Sequence, residues 1–212
     1  MSKEKNVLRY YVLCNKLKDV IRTGWKDWNV KRERLESVAE HVYGVQMLAI
    51  AIYSEYRLDL DIKKVILMLA VHELEEIKIG DIAEFDVDKT KSKKMGHRAV
   101  KVLNHLIEGD EIVKLILEFD ERKTKEAKFA FCCDKLECDI QCKLYDEENY
   151  IDIKNQDGNP SLGDEEIYNL LQEEKSVSGM WSAYSQKHFS YDEIFMELSE
   201  YIKNNNIKDL ID

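Results

Sequence analysis

A single proline, Pro160, and eight glycines in 212 residues leave this chain few places to turn. An all-β fold needs a turn signal about every 8–12 residues, so the scarcity points to long helices instead. The composition agrees. A hydrophobic fraction of 44% permits a sizeable core, and a charged fraction of 35% suits helices with solvated outer faces. No apolar run reaches the roughly 18 residues of a membrane span, so no membrane partner is expected. The net charge of -10 repels a polyanion and excludes long nucleic acid as an expected partner. A small anion needs only a local cation or metal and stays open.

The apolar spacing over residues 6–22 is helical, and residues 23–36 read as a loop. Ser37-Val38-Ala39-Glu40 is a capping box, from which a helix should run to about Tyr56. Asp61 can cap the next helix. Its run from Val65 to Val71 is apolar all round, which predicts deep burial, and it should continue through His72 to near Gly80. Helical patterns return over 90–108, 111–121 and 124–146. A loop around Pro160 precedes two more, at 164–187 and 190–205. One domain is expected, with a core over 1–150 and a helical extension over 151–212 packed on it. The cysteines at 14, 132, 133, 138 and 142 are odd in number and lack framework spacing. Together with a first stretch that lacks the apolar run of a signal peptide, they suggest reduced thiols and a cytoplasmic location.

Ionisable groups stand where this pattern calls for core. His41 falls in the first turns of the capped helix, His72 and Glu73 end the apolar run, and Asp134 sits inside Phe129-Ala130-Phe131-Cys132-Cys133-Asp134-Lys135-Leu136. A buried carboxylate is costly unless it is paired or holds a metal. Two imidazoles and two carboxylates on buried helices suggest a shared partner, and that donor set suits a borderline divalent ion. Glu76 lies four residues after His72, on the same face of a helix, where it could orient or deprotonate an attacking water. Asp81, just after Gly80, falls at the helix end facing the same region.

Ser37-Val38-Ala39-Glu40-His41, His72-Glu73-Leu74-Glu75-Glu76 with Gly80-Asp81-Ile82, and Asp134-Lys135-Leu136-Glu137 together resemble the HD-domain phosphohydrolases. Arg22-Thr23-Gly24-Trp25 and Leu117-Glu118-Phe119 are similar to the 5'-deoxynucleotidase branch of that superfamily. The resemblance spans roughly residues 8–148. It implies an all-α HD-domain helical bundle, a homodimer and one divalent metal ion (Co, Mn, Zn, Fe, Ni or Mg). It also implies a small nucleotide substrate, with phosphate released from deoxynucleoside 5'-monophosphates. By motif position His41, His72, Glu73 and Asp134 take the metal-ligand places and Glu76 that of the catalytic carboxylate. Asp81 takes a substrate-contacting place, and Arg22 and Trp25 fall at the substrate loop. The chain departs from the family at the motif that names it, where His72-Glu73 replaces His-Asp. Glutamate is longer by about 1.5 Å, so the backbone or the ion must shift to accept it. Two other readings fit the same residues: a hydrolase of another nucleotide or small phosphoester, and a nucleotide binder without turnover. Arg22, Lys78, Lys89 and Lys91 are candidate cations for the phosphate, and the acidic Asp81, Glu84, Asp86 and Asp88 read as a solvated loop.

Overall fold

The computed structural model describes residues 2–81 and 89–211, with backbone alone at 89–94 and 211. Glu84, Asp86 and Asp88 lie outside the described residues. The described chain is all-α, with no strand or sheet; its one β feature is an isolated antiparallel bridge between Ile21 and Ser37. No helix among these residues is long and apolar enough to cross a membrane.

The expected first helix is shorter than its apolar pattern. α1 (Lys3–Cys14) gives way to a 3-10 turn at Asn15–Lys18, and the chain then enters the Ile21 bridge. The expected loop over 23–36 holds a short helix, α2 (Thr23–Asp27). At Ser37 the capping box forms as its sequence predicts. Ser37 Oγ accepts from the Glu40 amide at 3.3 Å, and Glu40 Oε2 accepts from the Ser37 amide at 2.9 Å. α3 (Val38–Tyr56) follows and buries Val38, His41, Val45, Ala49 and Ile52 along one face. Asp61 caps α4 (Ile62–Val71) by accepting from Lys64 N at 3.1 Å. Although the run from Val65 to Val71 in α4 is apolar all round, Leu67 is 51% exposed, so burial divides a run that composition does not.

The expected continuous helix from 61 to Gly80 is interrupted. α4 stops at Val71, residues 72–75 form turns, and α5 (Glu76–Ile79) begins afresh. Across the break Leu74 N bonds Val71 O at 3.1 Å and Glu76 N bonds Glu73 O at 3.1 Å, reaching back three residues rather than four. The His72 ring bonds the Leu69 carbonyl at 2.7 Å, the group that a regular helix offers to the amide of Glu73. Beyond this come α6 (Lys89–Asn104), α7 (Asp110–Glu121) and α8 (Lys125–Glu147). The expected helix over 164–187 is two: α9 (Glu165–Glu174) and α10 (Val177–Phe189). Lys175 at φ 58° ends the first, and Ser176 caps the second by accepting from Gly179 N at 3.0 Å. α11 (Glu193–Asn204) closes the series.

The chain divides into two compact units, Met1–Thr23 with Glu36–Cys133, and Gly24–Leu35 with Asp134–Asp212. The division falls within α8, so the boundary expected near residue 150 lies inside the second unit. In the first unit Leu17, Val38, Val71, Leu74, Val100, Leu103 and Ile116 form one core. In the second, the indole of Trp25 meets Tyr145 edge-on at 5.2 Å, and Trp28 meets Trp181 at 6.2 Å. The Trp28 carbonyl accepts from Gln156 Nε2 at 3.0 Å. These contacts hold the 24–35 segment in that unit.

Removing the Ser37 side chain isolates the worth of the cap. Ser37→Ala should destabilise the protein by about 1 kcal/mol. Thermal melts should then show a fall of about 2–4 °C.

Candidate active site

The capped start of α3 carries His41, and the helix break carries His72 and Glu73. Both imidazoles are buried, at 0% and 4% exposure. Glu73 Oε1 lies 3.5 Å from His72 Nε2 and 3.9 Å from His41 Nε2, and the two rings stand 5.7 Å apart. The Leu69 carbonyl accepts a bond from His72 Nδ1, which fixes the tautomer and turns Nε2 toward Glu73. Phe119 packs on the His72 ring at 5.0 Å and on Phe131 of α8 at 6.4 Å.

Asp134 is buried, on the turn of α8 next to Cys133, where the first unit ends. It follows Phe131 by three residues and so shares that residue's helix face. Its own neighbour Lys135 brings Nζ to 3.9 Å from Oδ2.

Arg22 lies beside these groups. Its Nη1 is 3.6 Å from Glu73 Oε1 and 3.4 Å from Asp81 Oδ1. Gly80, at φ 76°, adopts a backbone conformation that strains other residues and delivers Asp81 after α5. Asp81 Oδ2 accepts from the Thr23 amide, and its carbonyl accepts from Thr23 Oγ1 at 2.8 Å. Glu76 is buried close to Glu73 and Asp81, and its Oε2 has no hydrogen-bond partner among the described residues. Burial pushes its carboxyl up to about 11, the negative charges of Glu73 and Asp81 push the same way, and Arg22 opposes them. Glu76 was placed by helix spacing, on the premise that residues 72–76 share one helix; the break shows that the turn, not a helix face, carries it there.

The sequence-derived set is thus brought together in part. His41, His72, Glu73, Glu76, Asp81 and Arg22 gather in the first unit. Trp25 belongs to the second, buried at 6% exposure against Tyr145. Lys78 is exposed, and the side chains of Lys89 and Lys91 are outside the described set. Thr23 and Phe119 gained no role from spacing, although both stand in quoted motifs: a threonine in a loop and a phenylalanine in an amphipathic helix look alike whether they orient a site or not.

The donors fit a divalent ion. The ligand atoms of His41, His72 and Glu73 lie within 4.8 Å of one another. Two ligands about 2.1 Å from a tetrahedral ion stand roughly 3.4 Å apart, close to the separations seen at Glu73. Mixed nitrogen and oxygen donors suit borderline metals. The longer glutamate side chain, set on a turn, still reaches both imidazoles.

The HD domain family model matches residues 14–161. The chain belongs to the HD domain family. It is 31% identical to the human 5'-deoxynucleotidase HDDC2 over 68% of this chain and 70% of that protein. It is 32% identical to the Mus musculus protein of the same name over 72% and 73%, and 30% identical to the one from Dictyostelium discoideum over 68% and 79%. Among solved structures, a Pyrococcus horikoshii protein aligns with a TM-score of 0.64 at 22% identity, covering 91% of this chain and 98% of its own. A Magnetospirillum magnetotacticum protein, described as a predicted metal-dependent phosphohydrolase, gives 0.58 at 22%, covering 93% and 94%. These two likenesses show that the chain shares their fold. HD-domain proteins depend on metal, and the imidazole and carboxylate cluster is this chain's candidate for holding it.

The raised carboxyl of Glu76 carries a signed consequence for chelated protein. Folded Glu76 keeps its proton up to about pH 11, whereas an unfolded glutamate loses it near 4.5. Native protein therefore binds the extra proton between those values, and its stability falls as pH rises through that window. Glu76→Gln removes the titration. Chelated wild type should lose melting temperature from pH 5 to pH 9 more steeply than Glu76→Gln, and parallel curves would contradict this origin.

Proposed function

We propose that this chain is a divalent-metal-dependent 5'-deoxynucleotidase that releases phosphate from deoxynucleoside 5'-monophosphates. The observation that carries the reading is Glu73 Oε1 lying 3.5 and 3.9 Å from two buried imidazoles with Glu76 close by. Relatives named 5'-deoxynucleotidase supply the substrate class.

His41, His72, Glu73 and Asp134 would hold one divalent ion. Asp134 is included because its motif position matches and because it shares a face of α8 with Phe131. A bound ion of this kind supplies Lewis acidity toward a phosphoryl oxygen and lowers the pKa of water. Glu76 would act in its carboxylate form, which positive charge held beside it favours over the protonated form. It then orients the attacking water and accepts its proton. Arg22 turns from Glu73 to the substrate phosphate while it stays beside Asp81, and its planar donors suit that anion. Asp81, paired with Arg22, meets the substrate with it, and Trp25 anchors the following segment of the substrate loop. Water attacks phosphorus in line, the P–O5' bond breaks, the proton accepted by Glu76 is returned to the departing 5'-oxygen, and nucleoside and phosphate leave.

The protein is proposed to act as a homodimer. Leu8, Tyr11 and Val12 of α1 and Tyr43, Met47 and Ile50 of α3 are 40–64% exposed, which is a large apolar surface to leave in water. Free thiols at all five cysteines support a cytoplasmic location.

Chelated protein reloaded separately with Co, Mn, Mg or Zn should release phosphate from deoxynucleoside monophosphates. Glu76→Ala should lower kcat at least about a hundredfold, the usual worth of a general base. Glu73→Asp should retain turnover and change which ion supports it best. No release from folded wild type with any of these ions would refute the nucleotidase reading.

A further inference from the structure

We infer that Thr23 is a positioning residue that aims the Arg22 guanidinium at the phosphate site by clasping Asp81. The inference rests on the reading of Arg22 as the phosphate cation. Thr23 touches Asp81 twice, across 58 residues of chain: its amide donates to Oδ2, and its Oγ1 donates to the Asp81 carbonyl at 2.8 Å. The amide bond takes one carboxylate oxygen and leaves Oδ1 to face Arg22 Nη1 at 3.4 Å. The hydroxyl bond fixes the backbone of the same residue. Asp81 is therefore held at both ends by the residue next to Arg22 in sequence.

The other side of Arg22 is pinned as well. Arg22 N donates to Glu36 O at 3.1 Å, and Val38 N to Val20 O at 2.8 Å, around the Ile21 bridge. The backbone of Arg22 thus has a fixed anchor on each side, and its guanidinium stands between Glu73 and Asp81. Arginine has several rotatable bonds, and ordering it costs conformational entropy. A clasp that settles this cost before substrate arrives strengthens binding of the phosphate without touching it. Thr23 contributes no atom to the imidazole and Glu73 cluster, so its effect should fall on substrate and not on the ion.

Thr23→Val keeps the amide and shape and removes the hydroxyl; Thr23→Ser keeps both bonds. With metal-loaded enzyme and a deoxynucleoside 5'-monophosphate, Thr23→Val should raise KM about tenfold with kcat within about threefold, because lost uniform binding appears in KM. Thr23→Ser should stay near wild type, and metal affinity should be unchanged in both. A second readout needs no turnover. In protein labelled with 15N-arginine, the Arg22 Nε–H heteronuclear NOE should be high in wild type and Thr23→Ser and low in Thr23→Val. Should Thr23→Val fail to fold, Thr23→Ala removes the same donor with less demand on packing. Unchanged KM together with an unchanged Arg22 NOE would overturn the inference. If wild type turns over no monophosphate, the nucleotidase reading fails by itself, and the NOE still decides whether Thr23 orders Arg22.

Discussion

Concentrated negative charge is the constraint around which the first unit is arranged. Glu73, Glu76 and Asp81 approach one another in a region largely closed to water, where carboxylates repel strongly and lose hydration. Arg22 answers two of them directly, and Glu76 takes up a proton. A divalent ion beside Glu73 would relieve the same repulsion. The arrangement costs stability in the metal-free chain, which is the expected signature of a site shaped for chemistry more than for folding.

Local structure is bent to serve that site. The break between α4 and α5 gives up regular helix bonding over residues 72–75, and the Leu69 carbonyl turns to the His72 ring. In return the ring is held in one tautomer, with Nε2 toward Glu73 and Phe119 against its face. Such outer supports set the basicity and direction of a ligand imidazole. The capping box does the corresponding work for His41. By fixing the first turn of α3 it fixes a residue four positions from the cap.

The departure from the His-Asp motif reads differently in three dimensions than in one. On a rigid helix an added methylene would push the carboxylate past its place. On a turn, Glu73 Oε1 lies at ligand-like distances from both imidazoles. The same oxygen lies 3.6 Å from Arg22 Nη1, so it faces both imidazoles and the guanidinium together.

Helix content, the capped start of α3 and the company of His41, His72 and Glu73 were all legible in the residue order. The first two depend on periodicity or on bonds between near neighbours, which are local; the third follows from ionisable groups standing at apolar positions, each of which needs a buried partner. The same logic reads residues 72–75 as continuous helix where they form turns, because propensity does not register a side chain that competes for a backbone carbonyl. The joining of the 24–35 segment to the later compact unit, and the division of the units inside α8, rest on contacts between distant residues that periodicity does not carry. The Thr23–Asp81 clasp and the proton held by Glu76 had no trace in spacing. They arise from groups brought together across 58 residues and from the water excluded around them, and both exist only once the chain has closed on itself.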